Sequence, residues 1–447
     1  LTTIGNSAFS ASSTSDNTTT VGFLYFPSKV ASIGNNAFNY RKGITGIVIM
    51  NTSPTSLITA TSDSFSNFTT TIKVYVNSSA LATAYSSATG WSVFTNYVSD
   101  NSIEFECGSP TLSDLKAKLN VRTGALTFTG SGAMKNFTSS SRPGWYQYQS
   151  VLKSVTFGNV TAIGNYAFDG CTGLTGTVTI TDKITSIGTY AFRNCTGLTG
   201  LTFNSATALT TIGTYAFSGC SSITSSIKLP ASITSLGTYA FSTCKQLSGV
   251  TFEDGWQLAS LPNYLFQNCY NLSGTIAIPE AVTTIGSYAF ANCSTAVSLN
   301  LSREAALTTI NDRAFAGCTG LDGTLVFPAG MTTIGDYAFN NCSSIDEIII
   351  LKTSGTITAS SDYTFNMMAS DIPVRVATTS LKNTYASASG WKHFTDISVG
   401  LTVTGQCGDN LQYSLSISDG RMSITGTGAM WDFNNSSNPA PWKLKNL

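Results

Sequence analysis

One phrase recurs eight times between Thr161 and Cys342, and it confines the chain to folds built by stacking. It reads Ile163-Gly164-Asn165-Tyr166-Ala167-Phe168, with Cys171 three residues on. It returns at Phe192, Phe217, Phe241, Phe266, Phe290, Phe315 and Phe339, each time with a cysteine at the same offset, from Cys195 to Cys342. Successive phrases lie alternately 24 and 25 residues apart. A fixed period of about 20–50 residues marks a solenoid, because one such unit cannot bury its apolar side alone and must lean on its neighbours. The alternation makes a pair of coils the larger unit. In one type a longer strand ends in proline, as in Ile227-Lys228-Leu229-Pro230, Ile276-Ala277-Ile278-Pro279 and Leu325-Val326-Phe327-Pro328. In the other a polar loop follows, as in Leu201-Thr202-Phe203-Asn204.

Each coil has a physical reading. Val178 and Ile180 point inward and Thr177 and Thr179 outward, the period of a half-buried strand. Ile184 and Ile187 supply a second apolar anchor. Gly188 is expected to provide a special backbone angle. Tyr190-Ala191-Phe192 and Cys195 are expected to form one short helical turn, with Phe192 inward.

The pattern of strand, I-G-x-x-A-F, x-x-C and L-T resembles the BspA-like, or Treponema-type, leucine-rich repeat proteins over nearly the whole chain. The resemblance implies a repeat solenoid with one parallel strand per coil and a short helical or irregular far side. It also implies a cell-surface or secreted protein linked to adhesion.

Two arrays are expected. Residues 1–98 read as the end of a first array with a C-terminal cap: a last strand at Ile72–Val76, a short helix from Leu81 to Ser87, and an aromatic plug at Trp91 and Phe94. Residues 99–150 read as a small β module around Cys107 and residues 125–134, closed by Trp145. Residues 151–398 form the second array, whose cap carries Trp391 and Phe394, and 399–447 repeat the small module. Trp91 and Trp391, like Cys107 and Cys407, stand 300 residues apart. The chain starts inside a repeat and stops about four residues short of where that phrase resumes. It is therefore expected to be a piece of a longer tandem protein, or to continue the stack from chain to chain. The second case makes Leu1, Ile4, Leu444 and Leu447 candidates for an end-to-end contact, a head-to-tail geometry that gives filaments.

Composition narrows the chemistry. Lys and Arg number 23, Asp and Glu 23, and only 10% of residues are charged. Without a basic patch, nucleic acid and anionic membrane surfaces are not expected partners, and no run reaches the length of a membrane span. Eight of ten cysteines share one phase of the repeat and are expected to be buried free thiols. No C-x-x-C and no histidine near a cysteine suggests a metal. The single histidine, His393, sits among aromatics and is expected to be structural. Carboxylates such as Asp254, Glu280, Glu304 and Asp336 are scattered, so no cofactor and no catalytic constellation is expected.

Two surface ladders remain. The outward strand positions Thr156, Thr179, Thr202, Lys228, Thr251, Ala277, Asn300, Val326 and Ile349 make a mildly polar stripe turning apolar, and Thr156, Thr179, Thr202, Lys228, Thr251 and Asn300 are the candidate binding face. Tyr166, Tyr190, Tyr215, Tyr239, Tyr264, Tyr288 and Tyr337, interrupted by Arg313, make a second ladder, expected to pack over the coil edge. Asn17, Asn51, Asn67, Asn77, Asn136, Asn159 and Asn434 lie in glycosylation sequons. The expected function is a non-catalytic extracellular or cell-surface scaffold that binds a protein or glycan. The alternative is a structural subunit of an extracellular filament or sheath, in which the partner is another copy of the chain.

Overall fold

The protein is described by a computed structural model covering residues 1–11, 22–41, 43–203, 208–301, 306–400, 402–408, 411–416 and 422–427. It divides into two compact units: Leu1–Lys135 with Arg142–Val160 and Gly173–Thr175, and Asn136–Ser141 with Thr161–Thr172 and the chain from Gly176 onward. The repeats of each unit wind into a parallel β-solenoid.

In the second unit the inward side chains follow the alternation of the sequence. Val178 and Ile180 are buried and Thr177 and Thr179 exposed along the strand Gly176–Thr179. The first ladder is broken into pairs. Gly176–Thr179 pairs with Leu198–Thr202, Ile227–Leu229 with Val250–Phe252, and Gly274–Ala277 with Ala296–Asn300; no shared sheet joins one pair to the next. These pairs alternate in step with the 24- and 25-residue spacing. A second parallel ladder, unforeseen in the sequence, consists of two-residue strands: Ser186–Ile187, Thr211–Ile212 and Ser235–Leu236 stack in register. It resumes at Ser260–Leu261, Thr284–Ile285 and Thr309–Ile310. Its threonines bind coil to coil, as when the Thr210 hydroxyl donates to the Thr185 carbonyl at 3.1 Å.

The repeated phrase corrects two expectations. No helical turn forms at Tyr190-Ala191-Phe192. The N–H groups of Tyr190, Phe192 and Asn194 instead donate to the carbonyls of Thr214, Ala216 and Ser218 in the next coil, at 3.0, 2.7 and 2.8 Å. A helical turn would aim those donors along its own chain. Alternation of backbone hand turns them sideways: Tyr190 and Asn194 both lie at φ 58°. The left-handed residue is therefore the tyrosine, not Gly188, although such a conformation costs an L-residue about 1–2 kcal/mol. Gly188 is required by proximity: a Cβ there would stand 2.5 Å from the Asn165 backbone nitrogen.

Phe and Cys complete the core. Phe168, Phe192, Phe217 and Phe241 stack with centroids 4.9–5.3 Å apart and planes within 8°. Each phenylalanine carbonyl accepts twice. Phe192 takes the Cys195 N–H of its own turn at 3.2 Å and the Cys220 thiol of the next coil at 3.1 Å. This is why a small weak donor recurs there.

Both caps close alike. The helices Ser79–Ser87 and Thr379–Ser387 start on Ser78 and Thr378, whose hydroxyls accept the N–H of Leu81 and Leu381, as N-caps do. Trp91 and Trp391 are fully buried and donate their indole N–H to the carbonyls of Ile58 and Ile357 at 2.7 and 2.9 Å. Lys73–Tyr75 is not the last strand. The helix and plug return the chain to the sheet edge, where Asn96–Val98 pairs parallel to it, and Ile397–Val399 does the same on Val374–Val376.

In the first unit, Ser102–Glu106, Leu115–Asn120 and Ala125–Met134 form an antiparallel meander. It packs on the array's outward strand face. Arg122 donates to the carbonyls of Ile49 and Met50 at 2.7 and 3.0 Å, Tyr25 donates to the Val121 carbonyl at 3.2 Å, and the Phe23 and Tyr148 rings lie 4.9 Å apart. Cover accounts for the large apolar side chains Phe23, Tyr25, Val48 and Tyr75 at outward positions of this array.

Candidate functional site

The strand ladders of the second unit set side chains of adjacent coils side by side. Thr179 pairs with Thr202, Lys228 with Thr251, and Ala277 with Asn300. Thr179, Lys228, Thr251, Ala277 and Asn300 are exposed and Thr202 half-buried. The Thr202 hydroxyl donates to the Thr179 hydroxyl at 3.3 Å. One position earlier on the same face, the hydroxyls of Thr275 and Ser298 lie 2.7 Å apart. The stripe ends where it turns apolar: Val326 is half-buried, and Ile349 is buried against Leu351 and Ala377. Thr156 is exposed and lies in the first unit, on the strand Ser154–Thr156 beside Ala125–Thr127.

Between the strands Val250–Phe252 and Gly274–Ala277 the stripe opens into a cleft of about 630 Å³, with Thr251, Glu253 and Trp256 on one side and Ala277, Glu280 and Asn300 on the other. Sequence reasoning left Asp254 and Glu280 scattered, yet the fold brings both to this cleft. Their 26-residue separation, close to one coil, carried that signal.

The tyrosine ladder is a packing element. From Tyr166 to Tyr288 the rings stack at 4.2–5.0 Å, so their faces are taken and the rings are half-buried. Arg313 continues the stack, its guanidinium 5.5 Å from the Tyr288 ring and 4.7 Å from the Tyr337 ring. Loss of hydration, with Tyr264 and Tyr215 alongside, pushes the Tyr239 hydroxyl up to about 12.

The nine described cysteines are free and buried; Cys407 lies outside the described side chains. Burial holds the thiols of Cys195, Cys244, Cys293 and Cys342 well above the ordinary range and raises Cys269 to about 12. The thiolate is the reactive species. These thiols are therefore expected to ignore an aromatic disulfide reagent at pH 8 in the folded protein and to react in urea. Prompt reaction of the folded protein, or no reaction in urea, would contradict this arrangement. Among the described residues no group of histidine, cysteine and carboxylates is placed to hold a metal. A ring nitrogen of His393 bonds the Met368 carbonyl at 2.9 Å, and the ring packs on Phe394.

The sequons divide. Asn51 is buried, its amide nitrogen donating to the Ser56 carbonyl, so a glycan there would break local structure. Asn67, Asn77, Asn136 and Asn159 are exposed; Asn17 and Asn434 lie outside the described residues. Of the end positions, Leu1 is exposed and Ile4 buried, while Leu444 and Leu447 lie outside the described residues. No described helix is long and apolar enough to cross a membrane.

The family model described as BspA type leucine rich repeat region matches in six copies, over residues 1–108, 143–273 and 259–385. No curated protein matches the chain. Among solved structures, a leucine-rich repeat protein from Bacteroides ovatus ATCC 8483 is 21% identical, with 65% of this chain and 76% of that one covered at a TM-score of 0.44. One from Eubacterium ventriosum ATCC 27560 is 22% identical, covering 60% and 95% at 0.29. A leucine rich cell surface protein from Faecalibacterium prausnitzii A2-165 is 21% identical, covering 64% and 93% at 0.24.

Proposed function

This chain belongs to the BspA-type leucine-rich repeat family, and from that premise we propose that it is a non-catalytic scaffold, on a cell surface or secreted, that binds a protein or glycan through the outward strand face of its second array. The observation that carries this reading is the stripe Thr179, Thr202, Lys228, Thr251, Ala277 and Asn300, exposed but for half-buried Thr202 and in register within each pair of coils. Hydroxyl and amide side chains at strand spacing offer repeated donors and acceptors to an extended ligand, and parallel strands hold them in place before binding. Preorganisation of this kind lowers the ordering cost of association. The corresponding face of the first array is covered by its own β module, so the second array supplies the open surface.

The test uses arrays of glycans and matrix proteins. The wild-type protein is expected to bind a defined subset. A variant carrying Thr179→Arg, Thr202→Arg and Thr251→Arg is expected to lose about tenfold or more in affinity, equivalent to about 1.4 kcal/mol. A control carrying Thr172→Arg, Thr196→Arg and Gln246→Arg, at exposed positions away from the strand face, is expected to bind normally. A wild-type protein that binds nothing, or equal losses in both variants, would overturn the reading.

A further inference from the structure

We propose that the cleft between Val250–Phe252 and Gly274–Ala277 binds a lysine or arginine side chain presented on an extended peptide. The proposal rests on the strand face being the working surface and names what one part of it takes.

Three observations place the site. The coil that opens the cleft departs from the repeat in several places at once. Its 253–257 loop, of the length usual for this coil type, carries Trp256, Pro262 stands where most coils have glycine, and Leu265 replaces the usual alanine. Elsewhere that glycine binds the previous coil: Gly237 N–H donates to the Ile212 carbonyl and Gly286 N–H to Leu261, each at 2.8 Å. Proline has no N–H to give, and here the second ladder is interrupted between Leu236 and Leu261. The first ladder is interrupted on the C-terminal side of the same coil, where no sheet joins Val250–Phe252 to Gly274–Ala277. The first ladder breaks in this way after every second coil, so what sets this coil apart is that the second ladder breaks beside it too.

Its chemistry is acidic and apolar together. Glu253, Asp254 and Glu280 line it. Glu253 faces Lys228 at 3.8 Å and accepts the Ala231 N–H at 3.2 Å; among the described residues no ion pair reaches Asp254 or Glu280. Among the described residues three carboxylates face one lysine here, and in a chain with so few charges they form a local field that favours a cation. Ile278, Pro279 and Ala281 supply an apolar wall, along which the methylene stem of lysine or arginine can lie with its charge among the carboxylates. Trp256 also lines the cleft. It is only 4% exposed and its indole N–H has no hydrogen-bond partner. Buried donors are nearly always satisfied; this one is enclosed, so a peptide carbonyl reaches it only as the 253–257 loop shifts. A cleft of about 630 Å³ holds one long side chain with its adjoining backbone. A neutral sugar would leave the carboxylates unanswered, and an anion would be repelled.

The probe is an acetylated, amidated hexalysine peptide, with hexaserine as comparator, added to protein labelled with 5-fluorotryptophan and followed by fluorine NMR. Trp256→Phe assigns the Trp256 resonance. That resonance is expected to shift saturably with hexalysine and not with hexaserine, while the other tryptophans stay still. Glu253→Gln, Asp254→Asn and Glu280→Gln together are expected to weaken the effect about tenfold or more, since each amide keeps the shape and removes the charge. Trp256→Phe, read by peptide fluorescence anisotropy, is expected to weaken binding about threefold to tenfold, as one hydrogen bond would. An unmoved Trp256 signal, an equal response to hexaserine, or full affinity in the triple amide variant would overturn the proposal. Array binding by wild type with no response to hexalysine would sink the cleft alone; a wild type that binds neither would sink the face reading with it.

Discussion

Phe217→Ala is expected to lower the unfolding free energy of the second unit by about 3–5 kcal/mol, the range for emptying a buried phenylalanine site. Phe217 is fully buried between Phe192 at 5.2 Å and Phe241 at 5.3 Å, with Phe203 edge-on at 6.2 Å. Its backbone also holds neighbouring coils, the N–H donating to Ala240 at 2.8 Å and the carbonyl accepting the Cys244 thiol at 3.3 Å. The coils cannot collapse onto the cavity, because the next phenylalanine on each side is fixed by the same bonds. Phe217→Lys is expected to cost more, since it strands a charge among rings that offer no partner. Urea unfolding checks both variants against Tyr270→Ala, at a 41% exposed ring, where the change is expected to stay within about 0.5 kcal/mol. A Phe217→Ala cost no larger than that of Tyr270→Ala would refute the stack.

Gly237→Ala is the second large effect, expected at about 3 kcal/mol or more, the upper end of overpacking costs. A Cβ at Gly237 would stand 2.2 Å from the Thr214 nitrogen and 2.4 Å from the Gly213 carbonyl carbon, all backbone of the preceding coil. Backbone in register cannot yield alone, so the added methyl must separate two coils. Gly176→Ala is the contrast. Nothing lies within 4 Å of its Cβ position, but its φ is +75°, so only the left-handed penalty of about 1–2 kcal/mol applies. Thermal unfolding of the two variants separates steric contact from backbone angle. Gly176→Ala as costly as Gly237→Ala would contradict the close-approach account.

The same contrast shows what could be read from the sequence. A period of 24–25 residues and a fixed Phe and Cys phase were legible because burial repeats whenever the coil repeats. Val178, Ile187, Phe192 and Cys195 are all buried, as that pattern requires. The backbone of the phrase was not legible. Tyrosine has no preference for φ near +58°; it is held there because the N–H groups of Tyr190, Phe192 and Asn194 all reach the next coil, a tertiary constraint with no local signature. The first array did hint at it, with Ser7 and Asn36 at the same left-handed position, since asparagine tolerates that conformation. The strands at Asn96–Val98 and Ile397–Val399 escaped notice for a different reason. Each is three residues long and is defined by the sheet edge it meets rather than by its own alternation. The apolar end of the outward stripe was visible, but its meaning came only from the first unit, where Arg122 and Tyr148 cover the equivalent face. The cleft was not legible either, because residues 251–257 meet residues 277–281 of the next coil only once the coils are stacked.

The central claim is that the second array is one stack of parallel coils whose outward strand positions lie in a line. Spin labels introduced as unnatural amino acids test it directly, with one label at Thr179 and the other at Thr251 or Asn300. Those positions are three and five coils away, so adjacent strands at about 4.8 Å predict narrow separations growing from roughly 15 Å to roughly 25 Å, apart from the reach of the labels. Separations that do not grow with coil number, or distributions spread across tens of ångströms, would contradict the stack and the binding face built on it.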